Sequence, residues 1–263
     1  MNLLSYSFMQ RAIISGFLLS IITSIIGSYL VLKGMTFMGS GISHASFGGI
    51  ALGILLGVNP LILALIFALI IVWIMPYIKR KIKLKEDVPI GIFYTFSMAL
   101  GAIFLYMHKG YSVDLFSYLF GNILAITTED ILITLFFLLI LILFIFRNYW
   151  KIVYIIFDST SAQVSGINTF ILEEVILSLS AVSIVLASKL IGITLISALL
   201  VIPSSIVLPF SKSLKEMIIF SSIVSFIGII SGLTVSFYFN LPSGASIILI
   251  LTFLFLISVF KRK

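Results

Sequence analysis

Between Lys33 and Lys79 the chain carries no Asp, Glu, Lys or Arg. The same holds between Asp87 and Lys109, between Lys189 and Lys212, and between Glu216 and Lys261. Uncharged runs this long narrow the possible folds more than any other feature, because they are hidden most readily in a bilayer, where a spanning helix needs about 20 apolar residues. Only 10% of the 263 residues are charged, against about 25% in soluble domains. In lipid every backbone polar group must be satisfied internally, which leaves helices or closed barrels, and the alternation of barrel strands is missing. The expected fold is all-α: a polytopic transmembrane helix bundle of about nine spans, with eight possible, and residues 1–263 forming one membrane domain.

The runs predict spans at about 12–32, 35–56, 61–78, 89–107, 131–146, 175–188, 190–210, 217–239 and 244–260. Pro89 suits the first turn of the fourth. Residues 115–126 are apolar but too short to cross, so a re-entrant or interfacial segment is expected there. The net charge of +7 is no sign of nucleic-acid binding, because the Lys and Arg sit in short loops and report topology. With the charged loop 79–87 in the cytoplasm, only Arg11, Lys109 and Lys189 fall outside. This places the N-terminus outside and the C-terminus, with Lys261, Arg262 and Lys263, in the cytoplasm. A crossing by residues 115–126 would flip the N-terminal half. The absence of Cys removes thiolate metal sites and disulfides.

His44 is the one side chain between Lys33 and Lys79 that titrates near neutrality. An ionisable group within a span is costly and points to a substrate or ion path. Imidazole is also the commonest metal ligand. His44 follows Lys33 by 11 residues, about 16 Å along a helix and near the middle of a core about 30 Å thick. Transporters hold their cargo at such depths. Ser40, one turn earlier, shares its face. The competing reading is a structural histidine bonded to a carbonyl; the depth and the surrounding Gly39, Gly41, Ala45, Gly48 and Gly49 favour a path. His108, beside Lys109 and Gly110, reads as a solvated loop residue. Gly49, Gly53 and Gly57, and likewise Gly228 and Gly232, recur four apart and permit close helix contact, either within the chain or between subunits.

There is no Gly-x-x-x-x-Gly-Lys-Ser/Thr phosphate loop and no His-Glu-x-x-His zinc motif. The carboxylates lie at span ends or in loops, so an intramembrane enzyme or an acid-based secondary carrier lacks its parts. Residues 158–166 form a second informative segment. Asp158 suits a helix N-cap and Gly166 a left-handed C′ position. About two turns of helix between them are expected on the cytoplasmic face, as a surface turn or as a docking helix for another protein.

Three segments now carry a resemblance. Residues 39–49 are similar to a Gly-Asp-x-Ile-Ser-His-Ala segment, 158–166 to an Asp-x-x-x-Ala-x-x-x-Gly loop, and 190–203 to Val-Gly-x-Leu-Leu-Val-x-Ala-Leu-Leu-x-x-Pro. Leu241, Pro242, Ser243 and Gly244 match a turn before the last span. In order and spacing the chain resembles the membrane (permease) subunit of the zinc/manganese/iron-type ABC importers. The resemblance implies a homodimer in the cytoplasmic membrane, with cytoplasmic ATPase subunits and an extracytoplasmic metal-binding protein. It implies that Asp158, Ala162 and Gly166 mark the ATPase-coupling helix and that His44 lines the metal path, with Ser40 as a second candidate ligand. The family commonly has Asp where this chain has Ser40. Manganese prefers oxygen ligands and imidazole suits zinc, so zinc is favoured as cargo over manganese or iron. No catalytic residue and no cofactor of its own are expected. The alternatives are a permease for a metal chelate and, further off, an ion-coupled carrier or an intramembrane enzyme.

Overall fold

The computed structural model describes residues 6–82, 87–108 and 126–260, and among them the regular structure is helical, with no strand. The helices are α1 (Ser7–Leu32), α2 (Thr36–Leu56), α3 (Pro60–Ile82), α4 (Asp87–Met107), α5 (Thr128–Phe157), α6 (Ser159–Val164), α7 (Thr169–Ile191), α8 (Ile193–Val207, prolonged by a 3-10 turn at Leu208–Phe210), α9 (Leu214–Phe239) and α10 (Ser243–Phe260). All except α6 are long and apolar enough to cross a membrane, which gives nine candidate spans among the described residues.

The observed bounds extend the sequence expectation most in α5. The expected span stops at residue 146, before Arg147, but the helix runs on to Phe157. A capping box formed by Thr127 and Asp130 starts it, and its 30 residues measure about 45 Å. That exceeds the hydrocarbon core, so part of α5 stands beyond the lipid, and the charges of Arg147 and Lys151 suit its outer turns. α7 also starts earlier than expected, at Thr169, with the Asn168 side chain accepting from the N–H of Ile171.

Small residues set the packing. Around α2, an added Cβ on Gly49 would sit 2.4 Å from the Leu63 carbonyl oxygen, and one on Gly53 would sit 2.6 Å from Pro60 Cα. This contact order makes α3 antiparallel to α2. Gly41 meets Ile90 and Gly48 meets Ser97, so α4 runs parallel to α2. Gly27 lies against the Leu200 carbonyl and Gly39 against the Leu200 side chain, which places α8 between α1 and α2. Tyr6 pairs with Phe237 and Phe17 with Phe226, making α9 antiparallel to α1. Gly228 and Gly232 receive Leu251 and Ile247 of α10. The recurring glycines are therefore filled from within the chain. Gly57 is different: with φ +67 it caps α2 and ends it.

Two ion pairs mark the two ends of the bundle. Lys33, at the end of α1, pairs with Glu173 near the start of α7 and also donates to Ile155 and Ser159. Asp130, at the start of α5, pairs with Lys189 near the end of α7. Following the alternation, Met107 and Thr128 emerge at the Asp130 end, so the flipped arrangement is not the one adopted. The expected re-entrant segment lies outside the described residues, apart from Ile126. The C-terminal end of α10 lies at the Lys33 end.

Candidate functional site

His44 owes its position to the small residues around it. Gly39, Gly41, Ser43, Ala45 and Ser46 are buried where α3, α4 and α8 close on α2. Ser43 and Ser46 satisfy their hydroxyls on carbonyls of their own helix, those of Gly39 and Ser43. Between these buried neighbours, Ser40 and His44 stay half-open. His44 Nδ1 lies 2.9 Å from the Ser40 carbonyl oxygen. A carbonyl only accepts, so in the neutral ring Nδ1 carries the proton and Nε2 keeps its lone pair for a ligand. Metal-binding histidines are commonly held this way. Ser40 thus orients the imidazole through its backbone, and its hydroxyl shares the same face.

Tyr94 of α4 lies against the His44 ring, with centroids 4.6 Å apart and planes inclined by 56°. Sequence reasoning missed it. Nothing in α4 marks one aromatic above its neighbours, and only the parallel pairing of α2 with α4 brings Tyr94 to the site. His44 stands about 12 Å along α2 from Thr36, less than the 16 Å expected from Lys33, because Lys33 to Thr36 is a corner and not helix. Among the described residues no group of three or more His, Cys, Asp or Glu gathers as a metal site. One chain offers one imidazole. His108 follows the last residue of α4 and is half-exposed.

At the Lys33 end, α6 is a self-contained capped unit. Asp158 Oδ1 accepts from the N–H of Thr160 at 2.9 Å and of Ser161 at 3.1 Å, and Oδ2 accepts from the Ser161 hydroxyl. The Ser161 hydroxyl and then the backbone N–H groups favour the charged form, so the Asp158 carboxyl titrates below its ordinary value. Gly166, at φ +84, donates to Gln163 O, while Ile167 donates to Ala162 O. This is the two-bond left-handed stop that glycine favours. Ala162 is fully buried against the bundle, whereas Val164 is 86% exposed and Thr160 and Gln163 are exposed beside it. The expected coupling set therefore divides into two caps, Asp158 and Gly166, and one anchor, Ala162. The side chains that α6 leaves exposed are those of Thr160, Gln163 and Val164, which the motif spacing alone did not reveal.

Known proteins share this arrangement over nearly its whole length. A match to the ABC 3 transport family runs over residues 5–262. The chain is 33% identical over 257 residues to the manganese transport system membrane protein MntC of Listeria monocytogenes, covering 98% of this chain and 91% of that one. It is 32% identical over 253 residues to the high-affinity zinc uptake system membrane protein ZnuB of Haemophilus influenzae, covering 96% and 97%. Among solved structures it is similar to PsaBC from Streptococcus pneumoniae in complex with Fab, with a TM-score of 0.88 and 34% identity over 99% of this chain and 94% of that one. An inward-facing putative metal-chelate type ABC transporter, 15% identical with a TM-score of 0.77 over 96% of this chain and 86% of that one, shares the fold. Because the match runs through all nine candidate spans of the described residues and is not confined to one motif, this multi-pass membrane protein belongs to the ABC 3 transport family.

Proposed function

We propose that this chain is the permease of an ATP-driven importer of a divalent transition metal, with zinc favoured, and that it works as a homodimer. The carrying observation is His44: a half-buried imidazole within a span, its Nδ1 tied to a backbone carbonyl and its Nε2 left for a ligand. Relatives named for manganese and for zinc transport support a metal cargo. The ligand chemistry inclines to zinc, because nitrogen is offered and Ser40 stands where a carboxylate would favour manganese. A transport site must release its ion, so few ligands per chain are needed. Two copies facing one path would supply two imidazoles, and the half-open face of Ser40, His44 and Tyr94 suits that pairing. One buried apolar cluster reaching from Met9 to Leu251 supports a single permease domain.

The end that carries Lys33, Arg147, Lys151 and Lys212 is assigned to the cytoplasm by its positive charge, and the C-terminus goes with it. There α6 docks separate ATPase subunits, which hydrolyse ATP because this chain has no phosphate loop. An extracytoplasmic binding protein delivers the ion at the Asp130 end. Uptake of zinc and of manganese into vesicles carrying the full transporter tests the reading. His44→Ala should bring zinc uptake to background while expression and ATPase-subunit binding persist. Wild-type uptake in that variant would leave His44 as a packed structural histidine and overturn the proposal.

A further inference from the structure

Lys33 has no part in the metal path, yet its bonding is complete. An ammonium group has three N–H donors, and three acceptors meet them: Glu173 Oε1 at 2.7 Å, Ser159 Oγ at 2.8 Å and Ile155 O at 3.2 Å. The Ser159 hydroxyl donates to Ile155 O at 3.0 Å, which leaves its lone pairs for Lys33. These acceptors belong to three elements: the last turn of α5, the first residue of α6 and the start of α7. Lys33 itself caps α1. Its side chain is only 14% exposed, a position a charge keeps only when paired.

We propose that Lys33 is the strut that carries movement of α6 into α2, and so sets the position of His44 in step with the ATPase cycle. The proposal rests on α6 being the ATPase-docking helix. The corner after Lys33 is stiff. Met35 N–H donates to Leu30 O at 2.8 Å and Gly34 N–H to Val31 O at 3.1 Å, with Gly34 at φ +72. This closed left-handed cap leads straight into α2, so a pull on Lys33 moves the start of α2 as a block. His44 is carried on the same helix, about 12 Å further on. The start of α2 also has room to shift. A cavity of ≈ 160 Å³ beside it is lined by Met35, Met38, Met75, Ile90, Glu173 and Leu177, and methionine side chains re-pack readily. Lys33 is thus a positioning residue that acts through α2.

The simpler role is that of a cation capping α1, and the test separates the two. In the reconstituted full transporter, the quantity read is ATP hydrolysed per zinc ion taken up. Lys33→Met should raise this ratio by about 5- to 150-fold, the usual range for coupling between sites, with assembly intact. Glu173→Gln keeps the α1 cap and removes only its charged partner. It should raise the ratio in the same direction, and it decides the matter if Lys33→Met fails to fold. Lys33→Arg, which restores charge and donors, should recover most of the coupling. Hydrolysis and uptake falling together at an unchanged ratio in both Lys33→Met and Glu173→Gln would mean a structural cap only and would overturn the strut. Val164→Asp, on the open face of α6, tests the underlying reading separately by binding of the ATPase subunits. Its loss of binding, with an unchanged ratio in Lys33→Met, rejects the strut and keeps the docking helix. Wild-type binding in Val164→Asp rejects both.

Discussion

α2 and α5 are built on opposite rules. α2 is the least apolar of the nine candidate spans, and most of it is buried. α5 is among the most apolar, and most of it is exposed. The buried part of α2 sets Gly39, Gly41, Ser43, Ala45, Ser46 and Gly49 among the larger Ile42, Phe47 and Ile50. The exposed face of α5 carries Phe136, Leu139, Leu143 and Phe146. In water the apolar helix would turn inward. In lipid the surroundings are as apolar as leucine, so hydrophobicity gives no reason to be inside, and close backbone approach and hydrogen bonding decide instead. The His44 imidazole is accommodated where small residues let backbones close around it and where its ring N–H finds a carbonyl.

Three substitutions press on that contrast. The largest effect is expected from a charge on the lipid face of α5. Leu139 is 58% exposed, and Leu139→Asp should cost about 2.5–3.5 kcal/mol of membrane insertion, visible as loss of inserted protein in a glycosylation-mapping assay. Full insertion of that variant would mean that this face of α5 is covered by protein. Next comes Gly49→Val, whose Cβ would lie 2.4 Å from a backbone oxygen of α3. A backbone contact cannot swing aside, so destabilisation of about 1–3 kcal/mol or more is expected, read as earlier thermal unfolding in detergent. An unchanged midpoint would show that α2 and α3 are not packed as tightly as described. The smallest effect is expected from Ser40→Asp. The α2 face that holds His44 should accept this acid, and manganese uptake should rise relative to zinc on the order of tenfold, or about 1.4 kcal/mol. A zinc-to-manganese ratio that stays at the wild-type value would detach Ser40 from ion selection.

Part of this arrangement was legible from residues alone. The nine candidate spans of the described residues followed from run length, and the caps of α6 followed from Asp158 and Gly166, whose backbone preferences are local. The end of α5 did not. Arg147 looked like the end of a span, but charge marks where lipid ends and not where a helix ends, and nothing before Phe157 breaks the hydrogen-bond ladder. The motif spacing marked Ala162 as part of α6 but did not reveal that it is the buried anchor of that helix. Spacing fixes which residues share a face of a short helix, but not which way that face turns.

The stretch of chain around His44 is enough to establish a lone imidazole at depth among small residues, because charge and residue size are properties of each position. Fold class, span number and the caps belong to the same kind of information, since they depend on neighbours within a few turns. Only the packed bundle put Tyr94 against His44, turned Val164 outward and brought Ile155, Ser159 and Glu173 around Lys33. Glu173 lies far along the chain from Lys33. Contacts of that kind depend on which helices lie side by side and in which direction, and that is settled by how close each pair of backbones can come.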